Sequence, residues 1–173
     1  MQSESQQIFF KFVHNLVIKH KMNINETDIH GRNCIALVYA DLRDKPSSVY
    51  SSKPINYYEL HFLTSIGANL NQQCMDTPSI GRTILLDAAY KGRVDLFSYL
   101  LITGADLEVK DAKDYGLEDY IRMDYEEILS NNQKFVKTDM IKQQLFNQLH
   151  KFSLSKNNQA EGDNSPRDKI LVK

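Results

Sequence analysis

The sequence has few cysteines, no excess of charge of either sign and no long hydrophobic run. Its two cysteines, Cys34 and Cys74, form no CxxC pair, which excludes a dense disulfide scaffold and offers no zinc-ligand spacing. Lysine and arginine number 21 against 22 aspartates and glutamates, so no charge surplus favours DNA, RNA or an anionic membrane as the partner. No apolar run approaches the roughly 20 residues that cross a bilayer, and the N-terminus MQSESQQIFFKF lacks the pattern of a secretory signal. We therefore expect an intracellular protein that binds neither nucleic acid nor membrane.

Patterns for catalysis and cofactor binding are also missing. The five histidines show no HExxH and no pairing with cysteine, so solvent-facing or turn positions explain them better than metal ligation. Neither GxGxxG nor GxxxxGK occurs, so no phosphate cradle is indicated. The acidic run over 119–127 lacks the pattern of a calcium loop and is better explained as a solvated helix face. The sequence gives no catalytic residue, no metal site and no cofactor, and we expect a protein that is not an enzyme.

The most regular part of the chain is the segment 81–111, GRTILLDAAYKGRVDLFSYLLITGADLEVKD. Thr83 can cap a first helix with its hydroxyl, and Gly92 is placed to end that helix. A second helix, predicted over 94–103, carries apolar residues at three- and four-residue spacing, which form a stripe that one helix pair cannot bury alone. Gly104 follows as a typical glycine at a helix C-terminus. The pattern predicts a helix pair that must stack on neighbours.

Two other segments repeat the turn that follows this helix pair. The three copies are Gly104-Ala105-Asp106-Leu107-Glu108, Gly67-Ala68-Asn69-Leu70-Asn71 and Lys21-Met22-Asn23-Ile24-Asn25. Gly31 and Gly67 are 36 positions apart, whereas Gly81 and Gly104 are 23 apart. The extra residues fall in the segment 41–56, whose serines and prolines predict a loop inserted between two helices.

The segment 81–111 resembles an ankyrin repeat. The matching positions are Gly81, Thr83, Leu85, Ala88, Ala89, Gly92, Leu96, Leu100, Leu101 and Gly104-Ala105-Asp106. The resemblance covers roughly residues 8–152. It implies an all-α fold, an ankyrin-repeat solenoid of about four stacked helix pairs with hairpin-like fingers. We expect one ankyrin-repeat domain over 1–152, with the insertion at 41–56, and a disordered C-terminal tail over 153–173.

The ends of the predicted array have the character of caps. At the start, only one helix fits, roughly over 5–20. Near the other end, the segment 116–121 resembles the degenerate opening of a last unit, and a final helix is predicted over 137–152. Polar residues back the apolar stripe of this final helix, as expected of a terminal repeat that faces water.

The resemblance implies a protein-binding module, because ankyrin arrays bind proteins through the fingers and the exposed face of each first helix. On this chain the fingers are 26–30, 72–79 and 109–115. The residues that we expect to contact a partner are Glu26, Asp28, His30, Gln73, Met75, Asp76, Asp87, Tyr90, Lys110, Lys113 and Tyr115. Tyr90 is the leading candidate, because an exposed aromatic provides a large contact area at little entropic cost. A structural role, in which the Tyr90 side chain covers the neighbouring repeat, explains this residue equally well.

We expect a monomeric adaptor or regulator that docks onto one protein, either as a eukaryotic factor or as a bacterial effector in a host cytosol. The competing hypothesis is a substrate of asparaginyl hydroxylation, because Asn25 and Asn71 resemble the turn asparagines that hydroxylases modify in this family. The candidate specificity elements are the insertion 41–56 and the middle finger. That finger is long, since Gly67 and Gly81 are 14 positions apart, against about 10 in the family pattern.

Overall fold

The computed structural model describes residues 4–43, 57–75, 80–128 and 134–162. The chain is mostly helical, which confirms the all-α class. The helices are α1 Glu4–His14, α2 Cys34–Arg43, α3 Tyr58–Ser65, α4 Ile84–Tyr90, α5 Val94–Thr103, α6 Leu117–Arg122 and α7 Asp139–Gly162, and a π-helical segment over Asn15–Lys19 continues α1. Two short strands, β1 Glu126–Ile128 and β2 Lys134–Val136, form an antiparallel hairpin in which Glu126 lies opposite Val136.

The helices lie in two layers. In the first, which we call the inner layer, α2 contacts α4, and α4 contacts α6. The second, or outer, layer consists of α1, α3, α5 and α7. Phe10 of α1 stacks on Phe62 of α3 with ring centres 4.5 Å apart, Tyr57 at the start of α3 stacks on Tyr99 of α5 at 4.6 Å, and α5 packs on α7. The pairs α2 with α3, α4 with α5 and α6 with α7 join the two layers.

The pair α4 and α5 forms as the sequence predicts. Thr83 is the N-cap of α4, and its hydroxyl oxygen accepts the backbone N–H of Leu86 at 3.4 Å. Helix α5 ends at Thr103, and Gly104 follows with φ +96°. The apolar stripe of α5 is buried at Leu96, Phe97, Leu100 and Leu101. The pair therefore lies at the centre of the core. Burial of each such side chain contributes roughly 1.5–3 kcal/mol to folding.

The C-terminal part of the chain differs from the prediction. Residues 126–128 form strand β1 and do not lie on a helix face. The last helix continues to Gly162, so residues 153–162, which the sequence analysis assigned to a disordered tail, are helical. Once Ile141 and Leu145 anchor this helix in the core, each further residue adds a backbone hydrogen bond, and no proline interrupts it. Residues 163–173 lie outside the described residues.

The predicted insertion begins later than expected. Helix α2 extends to Arg43, so residues 41–43 belong to it and not to a loop. The rest of the insertion, 44–56, lies outside the described residues. The predicted N-terminal helix over 5–20 is present as α1 followed by the π-helical segment.

Gly92 and Gly104 offer a matched pair for testing how tightly α7 packs on the turn between α4 and α5. A Cβ on Gly92 would lie 2.9 Å from Cγ of Lys137 and 3.0 Å from Cγ2 of Ile141, whereas one on Gly104 would meet no described atom within 4 Å. Both glycines have positive φ. We expect Gly92→Ala to lower the free energy of unfolding by about 3 kcal/mol, from strain plus crowding, and Gly104→Ala by about 1 kcal/mol, from strain alone. Urea denaturation measures both, and equal losses would contradict the close contact with α7.

Candidate functional site

Three connectors, each directly before an inner-layer helix, are hydrogen-bonded to one another. They overlap the fingers predicted from the sequence, and from here on we use the bounds that the structure gives them. These are finger 1 (28–32), finger 2 (74–82, of which 76–79 lie outside the described residues) and finger 3 (111–115). The backbone N–H of Met75 donates to the carbonyl of His30 at 3.0 Å and joins finger 2 to finger 1. The N–H of Ala112 donates to the carbonyl of Ile80 at 3.2 Å and joins finger 3 to finger 2. The fingers therefore form one connected surface.

An aspartate sets the local geometry of fingers 1 and 3. Oδ1 of Asp28 accepts the backbone N–H groups of His30 and Arg32, each at 2.9 Å. Oδ1 of Asp111 accepts the equivalent pair in finger 3, also at 2.9 Å. Such side-chain bonds fix a turn without help from the rest of the fold. Hydrogen bonds from the side chain and backbone of Arg32 lower the pKa of Asp28 to about 2, so Asp28 stabilises the turn, and its contact with a partner stays a prediction.

A second row of bonds connects the repeated turns. The Asn25 amide donates to the carbonyl of Gly67 at 3.1 Å and accepts the N–H of Asn69 at 2.6 Å. Asn71 accepts the N–H of Asp106 at 2.8 Å.

Hydroxylation of Asn25 and Asn71 stays a prediction, and a hydroxylase would have to reach side chains that already bridge two turns. Mass spectrometry of the chain from cells tests it, since unmodified Asn71 peptides would reject the idea.

A network centred on Arg82 joins finger 2 to the inner layer. The guanidinium of Arg82 donates to Oδ1 of Asp87 at 3.0 Å. Its central carbon lies 4.6 Å from the ring centre of Tyr90 and 4.8 Å from that of Tyr120, so two aromatic faces flank the cation. The hydroxyl of Tyr39 donates to Oδ2 of Asp87 at 2.7 Å. One ion pair thus connects a finger with α2, α4 and α6.

Tyr120 extends this network to finger 3. Its hydroxyl donates to Oδ2 of Asp111 at 2.7 Å. Burial raises the pKa of the Tyr120 phenol, so the donor stays protonated. Burial alone would raise the pKa of Asp111, but hydrogen bonds from Tyr120 and from the backbone of finger 3 lower it. Asp111 therefore remains an ionised acceptor that holds finger 3 on α6.

Asp87 and Tyr90 do not lie free on the surface, contrary to the prediction. Asp87 is 8% exposed, and both of its oxygens are occupied, so it holds Arg82 instead of facing a partner. Tyr90 is half-buried, with its ring edge-on to Tyr120 at 6.0 Å and to Tyr125 at 5.0 Å. These contacts fit the alternative interpretation of Tyr90, in which it covers the neighbouring unit.

Of the remaining residues predicted to contact a partner, Gln73 bonds within the chain and most of the others are exposed. The amide of Gln73 donates to the carbonyls of Gly81 and Lys110, both at 2.8 Å, and ties finger 2 to the approach to finger 3. Asp76 lies outside the described residues. Exposed to solvent are Glu26, His30, Met75, Lys110, Lys113 and Tyr115.

Exposed apolar side chains lie on all three fingers. The exposed fractions are 95% for Ile29, 63% for Met75, 43% for Tyr115 and 39% for Ile80. The two isoleucines were not among the predicted contact residues, although each stands beside the aspartate or glycine of a polar turn, which is a signal that the sequence offers. Each finger therefore presents at least one apolar side chain to solvent.

Comparison with known proteins adds no family. No protein-family model matches the sequence, and no curated protein is significantly similar to it. Within the described ranges, no group of three or more histidine, cysteine or acidic side chains could hold a metal ion. In that same portion of the chain, no helix combines the length and hydrophobicity needed to cross a bilayer. The finger surface is therefore the main basis for a functional hypothesis.

Lys137 is buried where two inner-layer helices end. Its ammonium donates to the carbonyl of Tyr120 at 2.9 Å and to that of Ala89 at 3.3 Å. These carbonyls lie in the last turns of α6 and α4, where the helix dipole favours a cation. Burial lowers the pKa of Lys137 to about 8. The buried charge stabilises two helix ends but is itself poorly solvated.

We expect the free energy of unfolding to rise between pH 8 and pH 10 because of Lys137. Its pKa is about 8 in the folded chain and 10.5 at its ordinary value, so in this interval the unfolded chain binds more protons and stability rises with pH. The gain amounts to about 2 kcal/mol at most. Urea denaturation across this pH range compares the wild type with Lys137→Met, in which the gain should be absent. The same pH dependence in both proteins would refute this account of Lys137.

Proposed function

We propose that the chain is an ankyrin-repeat protein-binding module that acts as a non-enzymatic adaptor or regulator through its finger surface. The observation that carries the proposal is the set of exposed apolar side chains on the hydrogen-bonded fingers, Ile29, Met75, Ile80 and Tyr115. The ankyrin assignment is supported by helix pairs in two layers and by turns that repeat the same side-chain bonds. The partner is another protein.

The finger surface suits protein binding because the described part of its backbone is held by hydrogen bonds. Aspartate turns and bonds between fingers fix the positions of Ile29 and Met75 before any partner arrives, so binding loses little conformational entropy. Apolar, methionine and aromatic side chains are those that contribute most at interface centres. Exposed His30, Lys110 and Lys113 provide the polar surroundings.

The charged groups next to the fingers have structural uses that support a binding role over a catalytic one. Arg82 and Asp87 neutralise each other, and Asp111 accepts bonds from its own finger and from Tyr120. Each of these groups is held by partners inside the chain. The same surface would also serve a bacterial effector that binds a host protein, and the identity of the partner distinguishes that setting from a eukaryotic regulator.

Affinity capture tests the proposal with a finger variant and a matched surface control. We expect Ile29→Ser with Met75→Ser to weaken binding to the captured partner at least about tenfold, because two exposed apolar contacts are lost. The control is Ile102→Ser, which removes an isoleucine that is 80% exposed on α5, away from the fingers. Binding is then measured with the purified partner. Equal affinity of the finger variant and the control would reject the finger surface as the binding site.

A further inference from the structure

Lys137 and finger 3 are bonded to opposite ends of one residue, Tyr120. The ammonium of Lys137 donates to the backbone carbonyl of Tyr120 at 2.9 Å. The hydroxyl of Tyr120 donates to Oδ2 of Asp111 in finger 3 at 2.7 Å. Tyr120 is only 2% exposed, so close packing leaves its side chain little freedom to move independently of its backbone. A displacement at the carbonyl of Tyr120 therefore also displaces the hydroxyl that holds finger 3.

Tyr90 makes a second connection between Lys137 and the fingers. Its ring centre lies 5.6 Å from the ammonium of Lys137 and 4.6 Å from the guanidinium carbon of Arg82. The same ammonium donates to the carbonyl of Ala89, the residue before Tyr90, at 3.3 Å. Because Arg82 ends finger 2, the contacts of Lys137 reach two fingers through two tyrosines.

The side chain of Lys137 lies where the C-terminal unit, by which we mean β1, β2 and α7, meets the inner layer. Lys137 stands between β2 and α7 in the chain, and its backbone N–H donates to the carbonyl of Tyr125 at 2.8 Å. The residue is 2% exposed. Water therefore reaches the ammonium only when the C-terminal unit moves away from α4 and α6.

We propose that Lys137 is a proton-dependent switch that couples the attachment of finger 3 to the packing of the C-terminal unit. When the ammonium leaves its buried site for water, the carbonyl of Tyr120 loses a bond, and its hydroxyl loses its fixed position against Asp111. Finger 3 then opens more readily. The coupling acts in both directions, because two linked equilibria change each other by the same factor. It concerns the order of finger 3 and does not depend on the proposed function.

Protonation of Lys137 favours the opened form. Burial lowers the pKa of Lys137 to about 8 in the folded chain, from an ordinary value of 10.5. An opened form in which the ammonium is hydrated therefore binds more protons between pH 8 and pH 10 than the closed form does. The opening of finger 3 is favoured as the pH falls through this interval.

Other charged and titratable groups lie on the elements that meet at Lys137. They are Lys142 and Asp139 on α7, Asp124 before β1, Lys91 and Tyr90 at the end of α4, Tyr120 on α6, and Tyr125. The hydrogen bond between Lys142 and Asp124 raises the pKa of the lysine and lowers that of the aspartate, so both stay charged in this interval. Comparison with Lys137→Met isolates the titration of Lys137 from that of its neighbours.

Amide exchange measured by NMR on the full chain tests the coupling at finger 3. The reporters are the N–H groups of Lys113 and Tyr115, both bonded to Oδ1 of Asp111. After correction for the intrinsic exchange rate, their opening constant should rise at least about fivefold from pH 10 to pH 8 in the wild type and stay constant in Lys137→Met. The N–H of Arg32 is a matched reference, because Oδ1 of Asp28 holds it in the same way in finger 1. Its opening constant should not change. A finger 3 that opens equally at both pH values, or a response that persists in Lys137→Met, would overturn the proposal.

The reverse measurement keeps the native lysine and loosens the finger. Tyr120→Phe removes the hydroxyl that binds Asp111 and keeps the ring. Because a loosened finger 3 lets water reach the ammonium, the proton affinity of Lys137 should rise at least about fivefold, as followed by NMR of its side chain. The control Tyr99→Phe removes a phenol hydroxyl from α5 and should leave that affinity unchanged, and circular dichroism checks that both variants fold. An unchanged affinity in Tyr120→Phe, or an equal rise in both variants, would mean that Lys137 has only a local structural role.

Discussion

The attachment of the fingers to the helices depends on the ion pair between Arg82 and Asp87. Both side chains are largely buried, 12% and 11% exposed, and removal of either partner would leave the other as an unpaired buried charge, which is strongly destabilising. Tyr39 supplies a hydrogen bond to Asp87, and the faces of Tyr90 and Tyr120 flank the guanidinium. Because Arg82 ends finger 2 and Asp87 lies in α4, this pair sets the position of the fingers relative to the inner layer.

Side-chain hydrogen bonds hold the backbone of fingers 1 and 3 and of the repeated turns beside them. Asp28 and Asp111 each close a turn with their own side chain, while Asn25 and Asn71 bond to the next turn in the row. These short-range bonds leave the apolar tips outside the core. A rigid support with exposed apolar tips loses little entropy when another surface covers it.

Features set by local chemistry could be predicted from the sequence, and those set by distant contacts could not. The bounds of α5 follow from its apolar stripe and the glycine after it, and the cap of α4 follows from the hydroxyl of Thr83. Asp87 looks like a surface residue of a helix, but Tyr39, 48 positions away, helps to bury it. Lys137 likewise is bound by backbone carbonyls 17 and 48 positions away. The two strands were not predicted because three residues are too few to show an alternation of apolar and polar side chains.

A stack of helix pairs has two ends, and the same constraint applies to both, because each last apolar stripe needs a cover. At the C-terminal end, α7 covers α5 and buries Ile141 and Leu145, and Lys137 closes the ends of α4 and α6. At the N-terminal end, α1 leaves Ile8 and Phe12 in contact with water. Helix α1 is therefore apolar both on the side that packs on α3 and on the side that faces water, in contrast to α5, whose stripe is buried against its neighbours.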